Sequence, residues 1–290
     1  MPPALWGGLC ALGWGTADFA ARFTGRAVGP DSALFGMLLT GTLVLSVWVW
    51  LSGTVLVWPL GTLWLLGLSG VGIMLATLLL YGALARGPVT LVAPIVASYP
   101  VVVLLIAVVL GQRPSPLQWA AMALVMAGVV AVSRAGGRLA AIAVERPGEV
   151  RRTVLMALAS SCGFGIAISA AQAAVPVYGD LQTVWAGRAI SLLAILMLFA
   201  GRWRRPVVSA AWWPLVMLQG LLDSGAYLAL FAGSSGAGAA IAAVVASAFG
   251  VVTVLLARVF LREAMSPLQW AGTAVVFAGV AVLTLAGAAA

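Results

Sequence analysis

Long apolar runs, separated by short breaks that contain glycine, proline or arginine, make up almost the whole chain. The runs cover ten segments: 4–23, 32–51, 62–85, 89–110, 116–134, 153–173, 181–200, 212–232, 238–260 and 267–287. A helix that crosses the hydrocarbon core of a bilayer needs about 20 predominantly apolar residues. The pattern therefore predicts an all-α integral membrane protein with ten transmembrane helices, here called spans one to ten.

A repeated hexapeptide indicates that one structural unit occurs twice. The sequence SPLQWA stands at 115–120 and again at 266–271, and the runs that it opens end in AGVVAV and AGVAVL. In both copies Ser-Pro predicts a helix N-cap followed by a first-turn proline. We expect two five-helix repeats, 1–134 and 153–290, joined by the polar connector 135–152. An odd number of spans per repeat makes the second repeat inverted with respect to the first.

Composition and charge indicate a membrane location and an orientation. The chain is 63% hydrophobic and 8% charged, which a soluble protein of this length could not accommodate. Thirteen of the fifteen arginines lie in odd-numbered connectors, and the even-numbered connectors hold only Arg113. The positive-inside rule then predicts cytoplasmic odd connectors and periplasmic termini, in the inner membrane of a bacterium. No basic face with interleaved aromatics suggests nucleic-acid binding.

Charged residues inside the spans are candidates for function, because a charge is costly at that depth. Asp223 lies near the middle of span eight, with Ser224 beside it and Tyr227 one turn further on the same face. Arg188 lies two turns into span seven. Two interpretations stay open: Asp223 contacts a substrate amine or a coupling proton, or it forms a structural ion pair with Arg188. For Asp18 we expect an i,i+4 pair with Arg22 at the interface.

Aromatic residues and helix breaks form a second set of candidates. Trp14, Tyr81 and Tyr99 lie, like Tyr227, inside spans, where they could form a pocket for an amphipathic solute or serve only in helix packing. If these aromatics faced lipid, the site would be sought around Gln172, Ser224 and Ser247. Span four is interrupted by Pro94 and Pro100, and such breaks either line a cavity or only kink a helix.

Several classes of activity lack their signatures. The chain has no histidine, no paired-aspartate motif for magnesium and no nucleotide-binding loop, so we expect neither an enzyme nor an ATP-driven pump. Its two cysteines, Cys10 and Cys162, lie inside apolar runs and are interpreted as small buried hydrophobes. We expect no metal and no cofactor. A channel or a membrane scaffold without coupled transport is the alternative to a carrier.

The end of each repeat carries a family resemblance. Gly111-Gln112-Arg113 precedes the segment 115–119 in the first half, Arg262-Glu263 precedes 266–270 in the second, and Trp14-Gly15 lies in span one. With ten spans, this arrangement resembles the drug/metabolite transporter superfamily, EamA type, in which a Gly-Glu pair often stands at this place. The resemblance implies secondary transport, commonly outward, of amino acids, metabolites or drugs by alternating access between the repeats. Its partners would be the lipid bilayer, a small-molecule substrate and a coupling proton, for a monomer or a homodimer.

Overall fold

The computed structural model describes residues 3–111, 113, 115–142, 147–233, 245–246 and 248–288, and the regular structure in these ranges is entirely helical. We number the helices in chain order: α1 (Pro3–Ala27), α2 (Pro30–Ser52), α3 (Leu63–Arg86), α4 (Val89–Val96), α5 (Tyr99–Val109), α6 (Pro116–Ile142), α7 (Pro147–Gly201), α8 (Trp213–Gly233), α9 (Phe249–Phe260) and α10 (Pro267–Ala288). Short 3₁₀ turns at Leu60–Thr62 and Ala210–Trp212 precede α3 and α8.

The helices have the length and composition of an integral membrane protein. Within the described part of the chain, five segments are long and apolar enough to cross a bilayer: Pro30–Ser52, Leu60–Arg86, Val89–Val109, Gly148–Gly201 and Ala210–Gly233. Shorter apolar helices cover Pro116–Val132, Phe249–Phe260 and Pro267–Val282. The all-helical membrane class predicted from the sequence is therefore confirmed. The predicted connector 135–152 is itself helical up to Ile142 and again from Pro147, so helix extends into it from both sides.

Spans six and seven, predicted as separate helices, are the two arms of α7, before and after Gly179, where the backbone is not helical and the chain reverses direction. The backbone there has φ 75° and ψ 166°, a conformation open almost only to glycine. Ala167 packs against Gly72 and Ile190 packs against Gly70, so residues 23 apart on α7 meet positions two apart on α3. A straight helix would separate such residues by about 35 Å. The two arms of α7 therefore lie side by side on α3.

Span four is divided into α4 and α5 at Ala97 and Ser98. Pro94 lies inside α4 and Pro100 in the first turn of α5, where each lacks the amide that would continue the helical ladder. The hydroxyl of Ser98 donates to the carbonyl of Ile95 (2.7 Å), so a side chain satisfies one carbonyl at the break. The break ends α4 and restarts the chain as α5 with Tyr99 at its first position.

The two halves of the chain share unusual backbone conformations at equivalent positions. The residues with positive φ, among those described, fall into three pairs that are 150 or 151 residues apart: Gly29 and Gly179, Gly53 and Trp203, Gly111 and Arg262. The 3₁₀ turns at 60–62 and 210–212 are also 150 residues apart. Ser115 and Ser266 each accept a hydrogen bond from the amide of the glutamine three residues later (3.3 and 3.2 Å), which is the predicted N-cap in both copies.

Contacts between the halves recur with the partners exchanged. Gly70 packs against Ile190, and Gly220 packs against Thr40. Gly220 lies 150 residues after Gly70, and Ile190 lies 150 residues after Thr40. The same pair of equivalent positions is therefore in contact twice, and the two halves of the chain exchange places between the two contacts.

Hydrogen bonds join several connectors at one end of the helices. The amide of Val207 donates to the hydroxyl of Ser32 (3.3 Å), and the Nε of Arg26 donates to the carbonyl of Ala85 (2.9 Å). These contacts bring together the connectors that follow spans one, three and seven, where many of the arginines lie. The connector after span two lies elsewhere, because Gln182 donates to the carbonyl of Val57 (2.6 Å) beside the reversal of α7.

Glu263 caps a helix of the other half. Its carboxylate accepts hydrogen bonds from the amides of Val89 and Thr90 (3.0 and 2.9 Å) and from the hydroxyl of Thr90 (2.9 Å). The amides at the start of α4 have no partner within the helix, and a negative charge there is favourable to the helix dipole. Glu263 therefore links α4 to the segment between α9 and α10.

Replacing Gly179 with alanine should destabilise the protein by about 1–3 kcal/mol, because no L side chain adopts this backbone conformation without strain. A Cβ at Gly179 would meet nothing within 4 Å, so the effect would come from the backbone alone. The free energy of unfolding in detergent micelles measures it. The control Gly67→Ala, in the interior of α3 with equally open surroundings, should be neutral or stabilising by up to about 1 kcal/mol. Equal effects of the two substitutions would contradict the strain at Gly179.

Candidate functional site

A cavity lies among helices from both halves of the chain. Its walls come from α1, α3, α8, the first arm of α7, the end of α4 and the first residues of α5 and α9. The lining residues are Trp14, Asp18, Thr77, Leu80, Tyr81, Val96, Tyr99, Phe164, Ile168, Asp223, Tyr227 and Phe249. Aromatic and aliphatic side chains predominate, and two carboxylates stand among them. This composition is typical of sites for small organic molecules.

An ion pair is buried at one wall of the cavity. The guanidinium of Arg188, on the second arm of α7, contacts the carboxylate of Asp223 on α8, and their side chains are 3% and 15% exposed. The guanidinium also lies over the ring of Tyr227, 4.6 Å from its centroid. One unpaired charge in the middle of a membrane helix costs about 2.5–3.5 kcal/mol, so each residue stabilises the other.

Aromatic rings form a continuous group along the cavity. Trp14 meets Tyr227 edge to face with ring centroids 4.8 Å apart, and it meets Phe249 in the same manner at 5.7 Å. Phe249 in turn lies 6.5 Å from Tyr99. These contacts connect α1, α5, α8 and α9 through side chains that have few rotatable bonds. Such pairs have preferred geometries, so the shape of the cavity is largely fixed by its walls.

Tyr81 is held by hydrogen bonds from behind the cavity. Its hydroxyl donates to the sulfur of Met37 (2.9 Å) and accepts from the Nε2 of Gln219 (3.1 Å). Gln219 is fully buried one turn before Asp223, and it also donates to the carbonyl of Ala17 (3.2 Å). Because Ala17 precedes Asp18, this amide ties α8 to the stretch of α1 that carries a cavity carboxylate.

The structure brings five of the predicted site residues together, since Trp14, Tyr81, Tyr99, Tyr227 and Asp223 all line the cavity. Arg188 pairs with Asp223 at the cavity wall, whereas two other predicted residues lie elsewhere. The hydroxyl of Ser224 faces Gly41 on α2, and Gln172 is exposed on the surface. Ser247 lies outside the described residues. Both interpretations of Asp223 are compatible with its position, because this carboxylate pairs with Arg188 and also lines the cavity.

Asp18 is placed differently from the sequence-based expectation. Among the described residues the one salt bridge is that of Arg188 with Asp223, so the expected pair of Asp18 and Arg22 is not seen. The guanidinium of Arg22 donates to the carbonyls of Leu84 and Gly87, at the end of α3. Asp18 lines the cavity. The i,i+4 spacing was a misleading guide because main-chain carbonyls of another helix are available to Arg22.

Phe164 and Phe249 were also missed, although the sequence contains a signal for both. Adding 150, the offset between the halves, to Trp14 and Tyr99 gives these two phenylalanines. Both of them line the cavity. The repeat alignment, applied to the candidate aromatics, would have identified the opposite wall.

The polar chemistry occurs on only one of the two equivalent sides. At the offset of 150, the counterparts of Asp18, Asp223 and Arg188 are Ile168, Ile73 and Leu38, all apolar. The backbone is repeated but the charges are not. Of the three counterparts, Ile168 lines the cavity, so the position equivalent to Asp18 is apolar there. Among the described residues no group of three or more Cys, Asp or Glu side chains is placed to hold a metal ion.

The ion pair predicts a specific pattern of stability. Asp223→Asn should destabilise the protein by about 3–5 kcal/mol, because it leaves the buried Arg188 without its counter-ion. The double variant Arg188→Leu, Asp223→Ile, which copies the apolar pair Leu38 and Ile73 of the other half, should recover most of that loss. Unfolding in detergent micelles measures both. Wild-type stability in Asp223→Asn, or no recovery in the double variant, would show that the pair is not what holds α7 to α8.

Comparisons with known proteins place this geometry in context. The model of the EamA-like transporter family matches the chain twice, at residues 1–134 and 151–285. A crystal structure of another protein is similar over 98% of both chains, with a TM-score of 0.68 and 22% sequence identity, which is a likeness of fold. No curated protein matches the sequence.

Proposed function

The chain belongs to the EamA-like transporter family, and we propose that it is a secondary carrier that exports small organic solutes by alternating access between its two halves. The observation that carries the proposal is the cavity: it is lined by both halves and combines aromatic walls with two carboxylates. Carriers built from repeats bind their substrates between the repeats, near the middle of the membrane. The candidate substrates are amino acids, metabolites and drug-like molecules.

We further propose ten crossings, arranged as two inverted repeats of five. The reversal of α7 at Gly179 supports two crossings within this one element. The contacts that recur with exchanged partners support an approximate two-fold axis between the halves. The hydrogen bonds that join the connectors after spans one, three and seven at one end support an even number of crossings between them. The family model, which matches two similar lengths of the chain, agrees with this division.

Alternating access would follow from the exchange of equivalent contacts. At the arginine-rich end Glu263 holds α4, and near the reversal of α7 Gln182 holds the main chain at Val57. Opening the cavity to one side requires that contacts at that end separate while those at the other end persist. Because the two halves repeat one set of contacts, both arrangements can have similar energies. A coupling proton would bind Asp18 or Asp223, since the chain has no histidine.

Reconstitution into proteoliposomes tests the carrier against a channel or a scaffold. A carrier should show saturable flux that a gradient of the coupling ion accelerates and that unlabelled substrate on the opposite side exchanges. A channel would show flux that does not saturate over the same range of concentrations, and a scaffold would show none. Amino acids, nucleosides and organic cations, screened first for thermal stabilisation of the purified protein, supply the candidate substrates.

Removing an aromatic wall should weaken substrate binding without preventing folding. We expect Trp14→Ala and Tyr99→Ala to raise the apparent KM about 3–10-fold, the range of one lost aromatic contact. Initial rates in proteoliposomes, normalised to the amount of protein, measure the change. Trp64→Ala is the matched control, because Trp64 is 62% exposed on α3 and lies outside the cavity. An equal effect in the control, or none in the cavity variants, would argue against this site.

The charge distribution predicts the orientation in the membrane. With the arginine-rich connectors in the cytoplasm and an even number of crossings, both termini face the periplasm of a bacterial cell. Alkaline phosphatase fused to the C-terminus should therefore be active, and a green fluorescent protein fused there should be dark. The opposite result in both fusions would mean an odd number of crossings or an inverted orientation.

A further inference from the structure

We propose that the cavity binds solutes with a single positive charge and an apolar body, and that Asp18 is the residue that holds the charge. This inference rests on the proposed function, because it names the substrate class of the same cavity. It assigns to Asp18 the substrate contact for which the sequence favours Asp223.

The charges at the cavity favour a solute with one positive charge. Asp18 and Asp223 are acidic and line the cavity, and Arg188 pairs with Asp223. With all three residues ionised, the group carries one net negative charge, and that charge belongs to Asp18. A solute with one positive charge neutralises the group. A zwitterion leaves the excess charge in place, and an anion increases the repulsion in surroundings where charges are poorly screened.

Arg188 is positioned so that a substrate carboxylate does not reach it directly. Its guanidinium is engaged on one side by Asp223 and on another by the ring of Tyr227, and only 3% of the side chain is exposed. A carboxylate on a substrate would have to displace Asp223 to reach it. The pair therefore acts as a closed unit, and Asp18 presents its charge to the cavity. Arg22, one turn beyond Asp18, donates to main-chain carbonyls at the end of α3.

The apolar residues on the first arm of α7 favour a solute with an apolar body. Phe164 and Ile168 lie on the first arm of α7 and line the cavity, with Ile168 at the position equivalent to Asp18. A solute that fills the space places its charge at α1 and its apolar body against α7. The rings of Trp14 and Tyr99 in the same cavity favour a cation over a neutral group of the same shape. Charge, shape and aromatic lining thus select an amphipathic monocation.

Three probes of similar shape and different charge test the inference on the purified full chain in detergent. They are phenethylammonium, the neutral 2-phenylethanol and zwitterionic phenylalanine, and calorimetric titration measures the Kd of each. We expect the wild type to bind the cation at least about tenfold more tightly than either of the others. Equal affinity for the cation and the neutral alcohol would overturn the proposal.

Substitutions then locate the charge. Asp18→Asn should weaken binding of the cation about tenfold and leave binding of the alcohol within about twofold of the wild type. Asp31→Asn is the matched control: Asp31 lies in the first turn of α2, accepts a hydrogen bond from the amide of Ser32 and is not part of the cavity. The cation preference should survive this change. Retention of the preference in Asp18→Asn, or its loss in Asp31→Asn, would refute the assignment to Asp18.

A second variant keeps the test decisive if Asp18→Asn does not fold. In the double variant Arg188→Leu, Asp223→Ile, both members of the ion pair are apolar, and Asp18 is the ionisable residue that remains of Asp18, Arg188 and Asp223. The cation preference should persist in it, whereas loss of the preference would assign the charge to Asp223 and overturn the proposal.

Failure of the inference is distinguishable from failure of the proposed function. Preferential binding of the cation without saturable flux in proteoliposomes would support the inference and contradict the carrier. Saturable flux of neutral or zwitterionic solutes, without any preference for the cation, would support the carrier and contradict the inference.

Discussion

Close packing of α1 against α8, and of α3 against α7, joins the two halves of the chain and positions most of the residues that line the cavity. A Cβ at Gly13 would lie 2.9 Å from the carbonyl of Leu222, and one at Gly163 would lie 3.0 Å from the Cβ of Ala76. Lipid tails are as apolar as the helices, so association in a bilayer depends on such close contacts and on polar pairs rather than on a hydrophobic driving force. Glycines at these equivalent positions let the backbones approach, and the larger residues beside them are left to line the cavity.

The two halves of the chain have similar backbones but different polar side chains at equivalent positions. Trp14 and Phe164 are 150 residues apart, and both line the cavity with an aromatic ring. Asp18 and Ile168 are equivalent in the same sense, but only one can bear a charge. In the proposed carrier, the repeated contacts would provide two similar conformations to exchange, and the unequal side chains would make the cavity selective.

Periodicity and composition were sufficient to predict the all-helical membrane class and the interruption of span four near Pro94 and Pro100. The aromatic residues of the cavity were identified because they lie in the interior of spans, and the repeat offset supplies their partners. The rotation of each helix about its axis was not predictable, because it is decided by packing against neighbours distant in sequence. Ser224 follows Asp223 directly, yet it faces Gly41 on α2 and not the cavity.

Local spacing failed at Asp18 for a related reason. The i,i+4 rule compares residues on one helix, and it takes no account of the carbonyls of Leu84 and Gly87 that α3 offers to Arg22. The reversal at Gly179, by contrast, lies in the gap between the predicted segments 153–173 and 181–200, so here the sequence-based division agrees with the structure. Ser247 and the rest of span nine before Ala248, apart from 245–246, lie outside the described residues.

The ion pair also constrains which parts can move in the proposed cycle. Separating Arg188 from Asp223 would leave two uncompensated charges in an apolar interior, so the second arm of α7 and α8 are expected to move as one body. Asp18 lies on α1, which is joined to α8 through Gln219. The interrupted span four lacks this restraint: α4 and α5 meet at a break, and Val96 and Tyr99 on either side of it line the cavity. Charge pairing therefore favours an opening at this break, where the chain can bend without exposing a buried charge.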